Sequence, residues 1–172
     1  MLTQKRLKEL LDYDPDTGIF TRRLNASSRA RLGKKAGAIN SGGYLQTRLE
    51  RKMYLNAWLA WLYIYGRWPT KWMDHINGNR ADNRLCNLRE ANETQNAHNA
   101  KKNNKNTSGF KGIGWDKRSG RWRARITINW KRIHLGRFED KYQAAFEYDK
   151  AAIKYHGDYA KTNFPTRKDL DL

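Results

Sequence analysis

The 172-residue chain carries 35 Lys and Arg against 17 Asp and Glu, a formal charge of +18 before any histidine titrates. That excess excludes an ordinary neutral enzyme and points to a polyanionic partner, nucleic acid first. Seven Trp within a 12% aromatic content exclude a disordered basic tail.

Length allows one domain or two small ones, and the charge is uneven: residues 1–100 carry net +8 and residues 101–172 net +10. The polar stretch 101–107 between them lacks an apolar period and is expected to be a basic linker. A single cysteine, Cys86, excludes a disulfide framework and a cysteine-based zinc finger. It is expected to be a small packing residue in a reducing, cytoplasmic protein. The first residues, MLTQKRLKELL, lack the apolar core of a signal peptide, and no apolar run approaches the ~20 residues of a membrane span, so no membrane association is expected.

The first fifty residues have the pattern of a small scaffold. Leu7, Leu10 and Leu11 share one helical face within residues 2–11, and Tyr13-Asp-Pro-Asp-Thr-Gly18 forms a turn before a short strand, Ile19–Arg22. Tyr44–Leu49 alternates as a strand, and Glu50-Arg51-Lys52 turns it into Met53-Tyr54-Leu55, a hairpin. From Ala57 to Tyr65 the chain is apolar and aromatic at helical spacing. It predicts a buried helix closed by Gly66, with Pro69 beyond.

The chemistry concentrates in Trp72-Met-Asp74-His75-Ile-Asn77-Gly78-Asn79, Asp82-Asn83, Asn87-Leu88-Arg89 and Thr94-Gln-Asn96-Ala-His98-Asn99. Adjacent residues on a strand point to opposite faces, so Asp74 and His75 converge only at a strand end, and Asn77-Gly78 supplies the turn. Asp74 offers a hard oxygen to a divalent cation. His75, titrating near neutrality, can accept a proton from water. Repeated Asn, a poor residue for helix and strand interiors, suggests amides that orient or ligate.

These motifs resemble the HNH endonucleases of phages and mobile introns, over roughly residues 10–100. The resemblance implies a metal-binding unit of two strands and one helix, with Asp74 and Asn96 holding one Mg²⁺ or Mn²⁺ per active site. His75 would be the general base and Asn87 would orient its imidazole. It also implies cleavage to 5′-phosphate and 3′-hydroxyl ends. His98, about 200° around a helix from Asn96, points almost oppositely and is expected to be a solvated or phosphate-facing side chain. Asn99 shares the face of Asn96. Where such endonucleases often read His-Arg-Leu-Ala-Trp, this chain has Ala57-Trp-Leu-Ala-Trp61. The alanine is either natural drift at a scaffold position or a deliberate substitution that slows cleavage so that a DNA complex can be captured.

The second half alternates more strictly. Arg121, Arg123, Arg125 and Thr127 fall on one strand face, and Trp122, Ala124, Ile126 and Ile128 on the other. Arg132 and His134 alternate likewise with Ile133 and Leu135. Phe110–Asp116 supplies a preceding strand, with turns at Ser119-Gly120 and Asn129-Trp130-Lys131. Lys141–His156 follows as a helix with Tyr142, Ala145, Tyr148, Asp149 and Ala152 along its inner stripe. Like charges on one strand face repel unless an anion lies over them, which favours phosphate and guanine contacts.

Residues 108–164 resemble the ethylene-response-factor (APETALA-type) DNA-binding domain, through Ser108-Gly-Phe-Lys-Gly-Ile113, Gly120-Arg-Trp-Arg-Ala124, Ile133-His-Leu-Gly-Arg-Phe138, Ala144-Ala145 with Tyr148-Asp-Lys-Ala-Ala152, and Thr162-Asn-Phe164. The resemblance implies a sheet laid in the major groove, with Lys111, Trp115, Arg121, Arg123, Arg125 and Arg132 as DNA contacts. Gly114 stands where the family has an arginine, so the family's target sequence is not carried over.

The expectation is a two-domain α+β protein: an HNH nuclease domain (1–100), a linker (101–107) and a three-stranded antiparallel sheet packed on one helix (108–166). Its partner is double-stranded DNA, with no obligate protein partner evident, and its function is that of a homing-type endonuclease of phage origin. The alternative is a DNA-binding protein with an inactive nuclease domain. An RNA-binding factor is disfavoured, because the sheet presents arginines rather than a row of stacking aromatics.

Overall fold

The computed structural model describes residues 1–25, 31–99 and 106–164. Most of the expected linker, and the end of the second domain beyond residue 164, lie outside these. The chain is a mixed α+β protein that divides into two compact units, Met1–Asn92 and Glu93–Leu172.

The first unit opens with α1 (Gln4–Leu10), capped by the Thr3 side chain accepting from the Arg6 amide at 3.2 Å. Leu7 is buried in the core, but Leu11 leaves the helix in extended conformation and begins β1 (Leu11–Asp14). The apolar spacing of Leu7, Leu10 and Leu11 therefore serves a helix and then a strand. β1 pairs with β2 (Ile19–Arg22), which pairs with β3 (Lys35–Ala36). Asp14 organises the β1–β2 turn by accepting from the amides of Asp16 and Thr17 and from the Thr17 hydroxyl.

A second small sheet orders β4 (Ala38–Ile39), β5 (Leu45–Leu49) and β6 (Lys52–Leu55). Its hairpin turn places Glu50 and Arg51 at φ 46° and 66°, both left-handed, as a two-residue type I′ turn requires. Helix α2 (Asn56–Tyr65) follows and ends at Gly66, whose φ of 71° makes it a left-handed C-cap. Buried Asn56 donates to the Ala36 carbonyl at 3.1 Å and accepts from the Thr47 hydroxyl at 2.7 Å, tying α2 to β3 and β5. Leu7, Leu11, Phe20, Leu59 and Ala60 form the centre of the core, and Ala57, 3% exposed, belongs to it. The antiparallel pair β7 (Trp72–His75) and β8 (Leu88–Ala91) completes this unit.

The second unit contains α3 (Glu93–Asn99), the antiparallel strands β9 (Ile113–Asp116), β10 (Arg121–Ile128) and β11 (Lys131–Phe138) in the order β11-β10-β9, and α4 (Lys141–His156). Asn129 and Trp130, at φ 48° and 64°, make the second glycine-free hairpin turn. Asp140 caps α4 through the Gln143 amide at 2.9 Å. The small side chains Ala144, Ala145 and Ala152, with Tyr148, bury against Ala124 and Ile126. Tyr142, expected on that stripe, is 55% exposed and meets the edge of the cluster through Phe110, because Ala144 and Ala151 take the inner face instead.

Candidate active site

The site is built at the end of β7. The turn forms where expected, with the Gly78 amide donating to the His75 carbonyl at 2.8 Å, and both Asp74 and His75 are 4% exposed. Directly across the strand pair from Asp74 stands Arg89. Its Nε and Nη2 both lie 2.8 Å from Asp74 Oδ2, so the carboxylate is held by a buried cross-strand ion pair.

His75 Nε2 lies 3.2 Å from Asn83 Oδ1. The Asn83 amide nitrogen donates, at 3.4 Å, to the Ala81 carbonyl, which turns Oδ1 toward the ring. An acceptor at that position requires Nε2 to carry the proton, which leaves Nδ1 with its lone pair. Burial holds the imidazole below its ordinary pKa, against the opposing influence of Asn83 and Asp74. That shift favours the neutral ring, the form that accepts a proton. Tyr44 packs beside the ring at 5.9 Å between centroids, and the Arg80 guanidinium lies over the Tyr44 ring at 4.8 Å.

The scaffold reaches the site through Asn83, 1% exposed. The Tyr13 hydroxyl donates to the Asn83 carbonyl at 2.7 Å, and the Leu85 amide donates to the Pro15 carbonyl at 3.0 Å. Gly18 sits so close that a Cβ there would lie 2.3 Å from the Arg84 nitrogen and 2.4 Å from the Asn83 carbonyl carbon. The β1–β2 turn thus fixes the backbone of the residue that contacts the imidazole.

Asn87, buried at the end of the 3₁₀ turn Leu85–Asn87, spends its amide elsewhere. Its Oδ1 accepts from the Asn77 amide at 2.9 Å and its Nδ2 donates to the Asp82 carbonyl at 2.8 Å, bracing the 77–82 loop. Asp82 is held below the usual carboxylate range, chiefly by Arg84. Cys86, expected to pack, is exposed on that turn because Asn87 and Leu88 supply its buried side. Asn96 is an exposed residue of α3, in the second unit.

Among the described residues, no group of three or more His, Cys, Asp or Glu forms a metal cluster. The donor chemistry nevertheless fits a hard ion. Mg²⁺ binds through one or two carboxylates, retains water and takes substrate phosphates, whereas a soft or tetrahedral site needs several imidazoles or thiolates. Asp74 supplies such a carboxylate on a rigid strand.

In the second unit, Arg121, Arg123 and Arg125 lie on one face of β10, with a bulge between Ala124 and Arg125. Burial, and then the charges of Arg123 and Arg132, lower the Arg125 pKa from its ordinary value. Arg123 Nε is buried and has no hydrogen-bond partner among the described residues. Trp115 is 47% exposed and meets Trp122 edge-on at 5.0 Å. Lys111 differs from these: its ammonium donates to the His98 carbonyl at 2.6 Å, and burial pushes its pKa down to about 8.

A model of the HNH endonuclease family matches residues 58–98, the segment holding Asp74, His75, Asn83 and Asn87. Protein 3.8 of Escherichia phage T7 is 34% identical over 90 residues, covering 52% of this chain and 74% of that protein. The chain belongs to the family of Protein 3.8 and carries an HNH endonuclease domain. Separately, APETALA2-like protein 2 of rice (Oryza sativa subsp. indica) is 40% identical over 58 residues, covering 34% of this chain and 13% of that protein. The AP2-like ethylene-responsive transcription factor ANT of Arabidopsis thaliana is 43% identical over 65 residues, covering 36% of this chain and 12% of that protein. The chain thus spans only about an eighth of those plant proteins. Among the described residues, no helix is long and apolar enough to cross a membrane.

Proposed function

We propose that the protein is a divalent-metal-dependent DNA endonuclease in which His75 is the general base and the second unit reads the duplex. The observation that carries the reading is the buried imidazole of His75, held at Nε2 by Asn83 Oδ1 and next along the strand to a carboxylate fixed by Arg89. Nδ1 takes a proton from a water molecule as its oxygen bonds to phosphorus. The bond from phosphorus to the 3′ oxygen breaks and that oxygen takes a proton from solvent water, leaving 5′-phosphate and 3′-hydroxyl ends. Asp74 would supply a carboxylate to a single Mg²⁺ or Mn²⁺, whose contribution when bound is to polarise the phosphate and offset charge on the departing oxygen. Asn83, rather than Asn87, orients the imidazole, and Asn87 keeps the loop around it in shape.

DNA is the partner that the charge favours. Arg123, Arg125 and Arg132 repel one another on one sheet, and a phosphate backbone or guanine edge lying over them relieves that repulsion. Arg121 extends the same surface, whereas Trp115, paired across the strands with Trp122, falls on the opposite face of the sheet, and Lys111 serves α3 instead.

A second reading, DNA binding without cleavage, is favoured by one observation: Arg89 already neutralises Asp74. Incubation with supercoiled plasmid separates the two. Mg²⁺-dependent conversion to nicked or linear DNA that EDTA abolishes supports the nuclease. Plasmid binding without conversion at any Mg²⁺ or Mn²⁺ concentration supports the second reading.

A further inference from the structure

Three arginines follow His75 within the first unit, and the fold uses them differently. Arg84 lies 2.8 Å from Asp82, and Arg89 lies 2.8 Å from Asp74. Arg80, in the exposed part of the 77–82 loop, forms no salt bridge with a carboxylate among the described residues. Its guanidinium is nevertheless held in place. Nη1 donates to the Gly42 carbonyl at 2.9 Å, and the guanidinium carbon stands 4.8 Å from the centre of the Tyr44 ring. Tyr44 is half-buried and packs against His75 at 5.9 Å between ring centres. These two distances leave the guanidinium and the imidazole no more than about 11 Å apart, on either side of one tyrosine.

The seat is made by a turn 38 residues upstream. Asn40 Oδ1 accepts from the amides of Gly42 and Tyr44 at 2.9 and 3.0 Å, and the Asn40 carbonyl accepts from the Gly43 amide at 2.9 Å. Gly43, at φ 81°, takes the left-handed conformation that closes the turn. A carboxylate partner would have neutralised Arg80, whereas an aromatic face and a carbonyl orient a guanidinium and leave its charge intact. An arginine meant to meet an incoming anion needs that combination.

We propose that Arg80 is a catalytic residue that grips the non-bridging oxygens of the scissile phosphate, with Tyr44 as its positioning residue. The proposal rests on the nuclease reading and deepens it by naming the group that meets the phosphate. The guanidinium has five N–H donors, of which the Gly42 carbonyl occupies one, so donors remain in its plane for a phosphate. As water oxygen bonds to phosphorus, negative charge builds on the non-bridging oxygens, and a donor already fixed there stabilises the transition state more than the ground state. Arg80 keeps its proton throughout.

The test uses the full chain with Arg80→Ala, Arg80→Lys, Tyr44→Leu and Tyr44→Phe, in two assays. The first measures affinity for a linear duplex in EDTA as KCl is raised from about 50 to 200 mM: loss of one phosphate contact should lower the salt slope by about one in Arg80→Ala, and Arg80→Lys should retain it. The second is single-turnover nicking of supercoiled plasmid in Mg²⁺. Arg80→Ala should be about 100-fold slower, and Arg80→Lys, a cation without the fork, should recover roughly tenfold of that. Tyr44→Leu keeps the charge but loses the seat, so its slope should stay while its rate falls about tenfold, and Tyr44→Phe should recover most of that loss. A salt slope unchanged in Arg80→Ala overturns the phosphate contact. A lowered slope with a wild-type nicking rate overturns its placement on the scissile phosphate. Equal loss in Arg80→Ala and Arg80→Lys, accompanied by a lower Tm in both, overturns the catalytic role in favour of a structural one. If the wild-type chain nicks nothing, the nuclease reading and the catalytic role fail together, while the salt slopes still decide whether Arg80 binds phosphate.

Discussion

Replacing Asn83 by Ala tests the assignment that departs most from the family resemblance. The substitution removes the acceptor 3.2 Å from His75 Nε2 and the weak bond to the Ala81 carbonyl, at a position 1% exposed. Removing this acceptor from a buried imidazole N–H costs ~1–3 kcal/mol, and the second bond adds less than ~1, so urea unfolding should register a loss of roughly 2–4 kcal/mol. The backbone should hold, because the Tyr13 hydroxyl binds the Asn83 carbonyl rather than its side chain. Catalysis suffers separately. Without Oδ1 the ring loses the acceptor that favours the tautomer with Nδ1 basic and gains freedom to rotate, so single-turnover cleavage of saturating duplex should fall about 10- to 100-fold. Duplex affinity, measured without a divalent ion, should stay within about twofold. Asn87→Ala is the control: it frees the 77–82 loop and should weaken stability more than it alters the pH profile of cleavage. A wild-type rate for Asn83→Ala beside a slow Asn87→Ala would refute the assignment and return the orienting role to Asn87.

Three further perturbations probe the scaffold and the sheet. Gly18→Ala forces a side chain onto a left-handed residue and within 2.4 Å of the 83–84 backbone, so it should cost more than ~2 kcal/mol in urea unfolding and slow cleavage together, whereas neutral behaviour would show that the turn does not support the site. Glu90, gripped by Arg67 and by the amide and hydroxyl of Thr70, has its carboxyl held down to about 2. Because the folded value lies below the unfolded one, its stabilisation is complete above about pH 4.5 and is lost as pH falls through about 2. Glu90→Gln should remove roughly 1 kcal/mol of that acid sensitivity, the pair being partly solvated, and an unchanged acid-unfolding curve would count against it. Arg123→Ala should weaken duplex binding: a loss of ~1–3 kcal/mol with relaxed preference at one base marks a guanine contact, a salt slope lower by about one marks a phosphate, and unaltered binding removes this face from the interface.

The elements that were legible in the sequence are those whose pattern has one physical solution. The helix closed by Gly66 and the hairpins turning at 50–51 and 129–130 follow directly from apolar period and turn position. Leu11 misleads because a leucine that extends a helical stripe also suits the first residue of a strand, and tertiary pairing with Arg22 decides. Tyr142 misleads because helical spacing does not say which of two neighbouring stripes the small alanines will choose. At the site, the strand-end position of Asp74 and His75 was readable from the turn that follows. The choice between Asn83 and Asn87 was not, since both are buried asparagines a few residues away and only the fold brings Asn83 to the ring. The same limit applies to Ala57. The sequence shows a missing histidine, while the fold shows a core position with little room for one. The Arg89 partner of Asp74 depends on strand register, which no local pattern encodes.

The most direct measurement of the central claim is single-turnover cleavage of a saturating DNA duplex in Mg²⁺ by the wild-type chain and His75→Ala, with duplex affinity measured in parallel. The account predicts a rate lower by ~10²- to 10⁴-fold in the variant at nearly unchanged affinity. Equal cleavage rates for the two proteins would contradict it.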